Sequence, residues 1–304
     1  MSKIIVRNNK KSLLQLAITL LFALVVCTFA TQPSRYMKVF FDGLTIWAQN
    51  VLPALFPFAL LTTLYTKNCK ISRFSVTKIL FGIPCDNVFL ASLLCGYPVG
   101  AREISEQSYN EQTSIAMCSF CSTPSPIFVI ATVGTLLDNT TATAIVCLSQ
   151  IVAMLLNGWL YTTHKTFTLD INTNKKIAGD FASTLTNCLL AVLSVGGLIA
   201  LFFMLAEILQ VLLPASIAQH PSVFFAFGLL EMTSGIIKIC HACDLPVATV
   251  CSSALLAFGG LCVALQCFSF LSKRGVKLAK LLQMKCTQCA FATIVSFVLT
   301  KILL

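Results

Sequence analysis

Five windows of this chain, 12–34, 43–66, 112–137, 139–164 and 181–206, carry no Asp, Glu, Lys or Arg. Each is about twenty residues or longer, enough to cross a hydrocarbon core of about 30 Å. A chain with so many such windows has few folds open to it. In hydrocarbon each unpaired backbone polar group costs several kcal/mol, so the spanning elements are helices whose bonds close within the segment. Apolar residues make up 57% of the chain and charged residues 11%, with a mean hydropathy of +0.87. The polar pieces between windows are too short for a separate soluble domain. The fold class read from the sequence is therefore all-α, a polytopic membrane helix bundle.

Two apolar stretches are interrupted at their centres. Residues 87–101 hold Cys95-Gly96-Tyr97-Pro98-Val99-Gly100, and residues 114–137 hold Ser122-Thr123-Pro124-Ser125-Pro126. Irregular backbone survives at membrane depth only where protein buries it or a polar cavity receives it. Interrupted segments of this kind point to a transporter site. A helix over 87–101 would be about 22 Å long, too short to cross, so this stretch reads as a re-entrant hairpin. Spans at 114–137 and 139–161 follow, the latter ending at Trp159 and Tyr161 as interface anchors. A polar loop occupies 162–180, and a long helix with a Gly196-Gly197 packing face runs on to Pro214.

In the second half, 223–239 is an apolar span interrupted by Glu231-Met232-Thr233-Ser234-Gly235. Residues 246–270, centred on Phe258-Gly259-Gly260, read as a second hairpin, followed by a basic amphipathic piece and a final span from Cys286. Both halves thus run kinked or interrupted span, hairpin, charged connector, further span. That order predicts an internal repeat, with boundaries 1–43 (N-terminal tail, first transmembrane helix, connecting loop), 44–161, 162–180 and 181–304.

The net charge of +10 does not imply nucleic acid. Lys3, Arg7, Lys10 and Lys11 precede the first span; Lys67, Lys70, Arg73 and Lys78 follow the second; Lys273, Arg274, Lys277, Lys280 and Lys285 precede the last. Lys and Arg near span ends mark cytoplasmic loops. The N-terminus reads as cytoplasmic and the first span as an uncleaved helix, although its basic start and Thr28-Phe29-Ala30 end resemble a secretory signal. Arg102 reads as one more cytoplasmic anchor, and only Arg35, Lys38 and Lys301 fall outside. An inverted repeat sets its two hairpins on opposite faces, whereas the charges put both connectors inside, so the orientation of the second hairpin stays open.

The 15 cysteines sit mostly in apolar windows, where they fill space as small polarizable side chains. The Cys118/Cys121, Cys240/Cys243 and Cys286/Cys289 pairs read as reduced and structural, without metal or other cofactor. No nucleophile elbow, His-Glu-x-x-His or P-loop occurs, and the chain does not read as an enzyme.

A mid-span carboxylate costs about 3 kcal/mol on insertion scales and faces a bundle interior or water path. Glu231 is thus the sharpest candidate, with Thr233 and Ser234 on the next turn. The Ser122, Thr123, Ser125 and Pro126 segment frees carbonyls one turn back and offers hydroxyls for an uncharged ligand. Gly96, Tyr97, Pro98 and Gly100 form a tip that a ligand can approach closely. Gly260 and Gln266 supply the same from the second half. Glu207 sits toward the end of its long helix and reads as interfacial.

These motifs carry a resemblance. Cys95 through Arg102, Phe120-Cys121 with Ser125-Pro126-Ile127-Phe128, Gly228 through Ile236, and Phe258-Gly259-Gly260-Leu261 through Gln266 are similar to the YlbJ-type sporulation integral membrane proteins of the nucleoside-recognition, or Gate-domain, superfamily. The resemblance covers roughly 44–304. Ser122 and Thr123 stand where that family usually has two asparagines, Ser234 where it often has Asn, and Cys262 and Ala264 where Ser and His are common. The resemblance implies two Gate-like repeats at 44–161 and 181–304, in the cell membrane of a spore-forming bacterium. It implies a permease for a small planar or nucleoside-like metabolite, dipicolinate among them. The alternative is a non-transporting sensor or scaffold for spore development. Expected partners are the lipid bilayer, the small-molecule substrate, and a second copy or other sporulation membrane proteins.

Overall fold

The computed structural model describes residues 2–68, 75–107, 109–163 and 181–304, and all regular structure among them is helical. The sequence-predicted loop at 162–180 lies almost wholly outside the described residues. Five helical spans are long and apolar enough to cross a membrane, and a sixth results if one bent pair is counted as a single span. The chain is therefore a multi-pass membrane protein by its architecture.

The chain opens with α1 (Ser2–Thr31) and α2 (Pro33–Ile46), the latter started by a proline in its first turn. A π-helical turn, Trp47–Val51, leads into α3 (Leu52–Asn68), and the axis bends by 52° between Pro33–Val51 and Leu55–Tyr65. The expected second span is thus a bent pair. Pro53 and Pro57 each lack the N–H an unbroken helix needs there. The short α4 (Val76–Phe81) is capped by Ser75.

Next, α5 (Asp86–Cys95) and α6 (Val99–Glu106) fold back on each other about Gly96–Pro98. Gly96 sits at φ +71° and the Tyr97–Pro98 peptide is cis. The arms meet through small residues, Gly100 lying against Ser92. The following span, Glu111–Leu137, is interrupted. Its first part is α7 (Glu111–Cys121). After the break come α8 (Pro126–Phe128), a π-helical stretch Val129–Gly134, and α9 (Thr135–Leu137). A turn with Asp138 in the left-handed region enters α10 (Thr140–Thr162), capped by Asn139. Trp159 is exposed as an interface anchor would be, but Tyr161 is buried and faces Thr287.

After α11 (Phe181–Val211) and α12 (Ala215–Ala218), the second half departs from the sequence reading. The expected interrupted span at 223–239 is instead two antiparallel arms, α13 (Pro221–Gly228) and α14 (Met232–Ala242). The expected hairpin at 246–270 is instead a span, Leu245–Arg274. It is made of α15 (Leu245–Phe258) and α16 (Gly260–Leu271), parted by Gly259 at φ +80°. The physical reason is glycine placement. Gly228 and Gly235 let two backbones touch face to face, whereas Gly259 and Gly260, both at positive φ, interrupt a helix without reversing it.

The last helix, α17 (Leu278–Leu303), also differs from expectation. Of the expected basic piece, Lys273 and Arg274 form a short 3-10 turn, Ser272–Arg274, while Lys280 and Lys285 belong to the first turns of α17. It packs along α10 and α15, while α11 packs along α2 and α3. Gly196 of α11 receives the Trp47 indole, as its sequence suggests, but Gly197 touches nothing.

Candidate functional site

The two doubled-back pairs each place their tip against the break of the span that follows. The Tyr97 N–H donates to the Thr123 carbonyl at 2.9 Å; in the second half Leu261 and Cys262 donate to the carbonyls of Leu229 and Leu230 at 2.8 and 3.0 Å. Backbone groups freed by interruption are thus satisfied by the neighbouring interruption, which removes their cost at depth. The tips also meet across the halves. The Tyr97 hydroxyl donates toward Met232 Sδ at 2.9 Å and lies 3.3 Å from the Leu256 carbonyl oxygen.

Between these tips lies a cavity of about 540 Å³, its open mouth included. Of the residues expected from sequence, Tyr97, Ser125, Glu231, Thr233 and Gln266 line it. Gly96 packs against the backbone of Pro124 and Ser125, and Gly260 against Leu230 and Met232, so both hold the tips together beneath the lining. Gly100 rests on the Cys121 carbonyl. Ser122, Thr123 and Ser234 are buried beside the cavity, Pro126 begins α8, and Pro98 borders a smaller apolar cavity with Arg102. One wall was not foreseen. Val51 and Leu55 from the bent pair and Val195 and Ile199 from α11 close the apolar side, and no periodicity distinguishes these residues from lipid-facing ones.

Glu231 has a defined structural task. Its two carboxylate oxygens accept the N–H groups of Thr233 at 3.0 Å and Ser234 at 2.7 Å, which makes it the N-cap of α14. A capping carboxylate also suits the positive end of the helix dipole. An ionised carboxylate has about four lone-pair sites, so two such bonds leave room for a ligand donor. Gln266 is steadied by Cys262 one turn away, at 3.3 Å.

The carbonyl surface freed by the Ser122–Pro126 break, expected to face a ligand, is largely occupied by protein. The Ser119 carbonyl accepts from Asn157 Nδ2 at 2.8 Å, that of Cys121 from Ser92 Oγ at 2.7 Å, and that of Ser122 from Lys285 Nζ. Ser125 Oγ caps α8 by accepting the Phe128 N–H. What remains for a ligand is side-chain chemistry, not backbone.

Two polar residues, Arg102 and Lys285, correct the charge-based reading. Arg102 is no surface anchor; it is buried, pairs with Glu106 at 2.8 Å and reaches the Cys188 sulfur. Glu207 pairs with Arg35 at 2.7 Å and lies 3.6 Å from Lys238. Lys285, counted as a connector residue, is 1% exposed, with Nζ 5.0 Å from the centre of the Tyr97 ring. Its closeness in sequence to Lys277 and Lys280 hid it in a basic cluster, yet Gln288 and Ala292 share its buried face.

Among the described residues no group of three or more metal-ligating side chains occurs, and the described cysteines are free thiols. No family model, curated protein or solved structure matches the chain.

Proposed function

We propose that this protein is a permease-like membrane protein that moves a small planar or nucleoside-like metabolite. The observation that carries this reading is the convergence of two helix tips and two helix breaks on one cavity, with Tyr97, Ser125, Glu231, Thr233 and Gln266 pointing polar chemistry into an otherwise apolar lining. Pockets built from discontinuous helices near the membrane midplane are how many transporters hold cargo.

In this reading α5–α6 and α13–α14 are re-entrant hairpins, and 86–162 and 221–303 are the two arms of an internal repeat. The N-terminus faces the cytoplasm of a bacterial cell, as the basic residues before the first span favour. The lining contains one carboxylate and no Lys, Arg or His. That charge character favours a neutral hydrogen-bond donor over a dicarboxylate such as dipicolinate. Glu231 and Gln266 would orient the cargo while Val51, Val195 and Ile199 cover its apolar face.

The test is flux in proteoliposomes, with a panel of nucleosides and dipicolinate. Saturable counterflow of a nucleoside-like compound that falls at least tenfold in Glu231→Gln is expected. Absence of flux from folded, inserted protein would instead favour a sensor or scaffold using the same pocket.

A further inference from the structure

Lys285 projects from α17 into the centre of the bundle, behind the Tyr97 ring as seen from the cavity. Its one hydrogen-bond acceptor among the described residues is the Ser122 carbonyl, and its other neighbour is the face of Tyr97. An ammonium carries three N–H donors; a carbonyl and a ring face serve two directions at most. No carboxylate among the described residues pairs with it. An ionisable side chain at this depth is a functional candidate by default, because its insertion is costly.

Its location adds a second argument. Ser122 directly follows the last residue of α7, where carbonyls without intrahelical partners carry the negative end of the helix dipole. In transporters built from broken helices, unwound carbonyls and half-helix C-termini are where a coupling cation or proton sits. Here a side-chain amine occupies that position. Glu231 is differently placed, since both its oxygens already cap α14.

We propose that Lys285 is an exchangeable-proton site that ties the protonation state of the protein to the position of the α5–α6 tip. The amine takes one proton from water on one side and returns it on the other; no other bond changes. With the proton on, the ammonium holds the Ser122 carbonyl and the Tyr97 ring together. With it off, that hold weakens and the tip is free to leave the break. The titratable groups facing Nζ are the thiols of Cys118 from α7 and Cys267 from α16, with the Tyr97 phenol from the tip. On α10, Tyr161 faces Lys280 instead, and on α15, Cys251 faces Cys240 and Cys243. Glu231, whose oxygens cap α14, makes no ion pair with Lys285. The coupling of this proton to transport rests on the permease reading; the titration itself does not.

Thermal unfolding of the purified full chain across about pH 6 to 10 tests the titration, because a group that binds protons differently on unfolding makes stability depend on pH. Wild type and Glu231→Gln are expected to share a pH-dependent component of Tm that Lys285→Met and Lys285→Gln both lose. Lys285→Arg, which keeps the cation but does not titrate in this range, is expected to lose it too and serves if the neutral variants do not fold. Parallel Tm–pH curves for wild type and the Lys285 variants overturn the proposal whether or not the protein transports anything. In proteoliposomes, Lys285→Gln is expected to keep counterflow of a nucleoside and lose its accumulation driven by a pH gradient. Undiminished gradient-driven accumulation overturns the coupling, whereas missing counterflow in wild type counts against the permease reading alone.

Discussion

Gly228 and Gly235 face each other across the α13–α14 pair so closely that a Cβ on Gly235 would fall onto the Gly228 backbone. The two arms lie flush because Gly235 has no side chain, while the space beside Gly228 is taken by Leu255. Gly235→Ala is expected to destabilise the protein by about 1–3 kcal/mol through overpacking, read as a drop in Tm. Gly197→Ala on α11, where nothing lies within 4 Å, is the matched control. Its Tm should hold or rise, since alanine favours helix over glycine.

Removing a donor from the α7 break should cost more than its one hydrogen bond. Ser92→Ala takes the hydroxyl from the Cys121 carbonyl, and Asn157→Leu takes the amide from that of Ser119. Each leaves a buried acceptor unmet, for about 1–3 kcal/mol, measured by thermal unfolding in detergent.

Glu231 separates capping from ligand contact. Glu231→Gln keeps one capping oxygen and is expected to lower Tm only slightly; Glu231→Ala removes the cap for about 0.5–2 kcal/mol. If both variants lose flux equally while differing in Tm, the carboxylate contacts the cargo. Flux that tracks Tm instead would leave Glu231 as a helix cap alone.

The Glu207 cluster should matter little to stability. Its partners Arg35 and Lys238 are part-exposed, with Arg35 46% open at the side chain, and such pairs contribute about 0–1 kcal/mol. Glu207→Gln is expected to shift Tm by no more than the spread between replicate scans. A large drop would mean that the cluster is shielded in the membrane.

The helical class, the apolar spans read at 114–137, at 139–161 and from 181, and the interruption at Gly96 were legible because length without charge and glycine–proline interruption are local signals. So were Tyr97, Ser125, Glu231, Thr233 and Gln266 as cavity residues. Which interrupted stretch doubles back was not legible. Residues 231–235 and Gly259-Gly260 both interrupt apolar stretches, and reversal depends on whether Gly228 and Gly235 find each other, a pairing that no single window displays. Lys285 was hidden for a similar reason: a lysine so near Lys280 looks like part of a basic run until neighbouring helices bury one face of the turn.

The α7 break has a consequence for motion. Its carbonyls are met from four places at once, Ser92 on α5, Tyr97 at the tip, Asn157 on α10 and Lys285 on α17. A displacement of any one of them takes a donor from a buried oxygen, which costs about 1–3 kcal/mol. Half-moved arrangements are therefore the least stable, and the elements around this break should shift together or stay put, like a lock whose pins must all lift before the barrel turns.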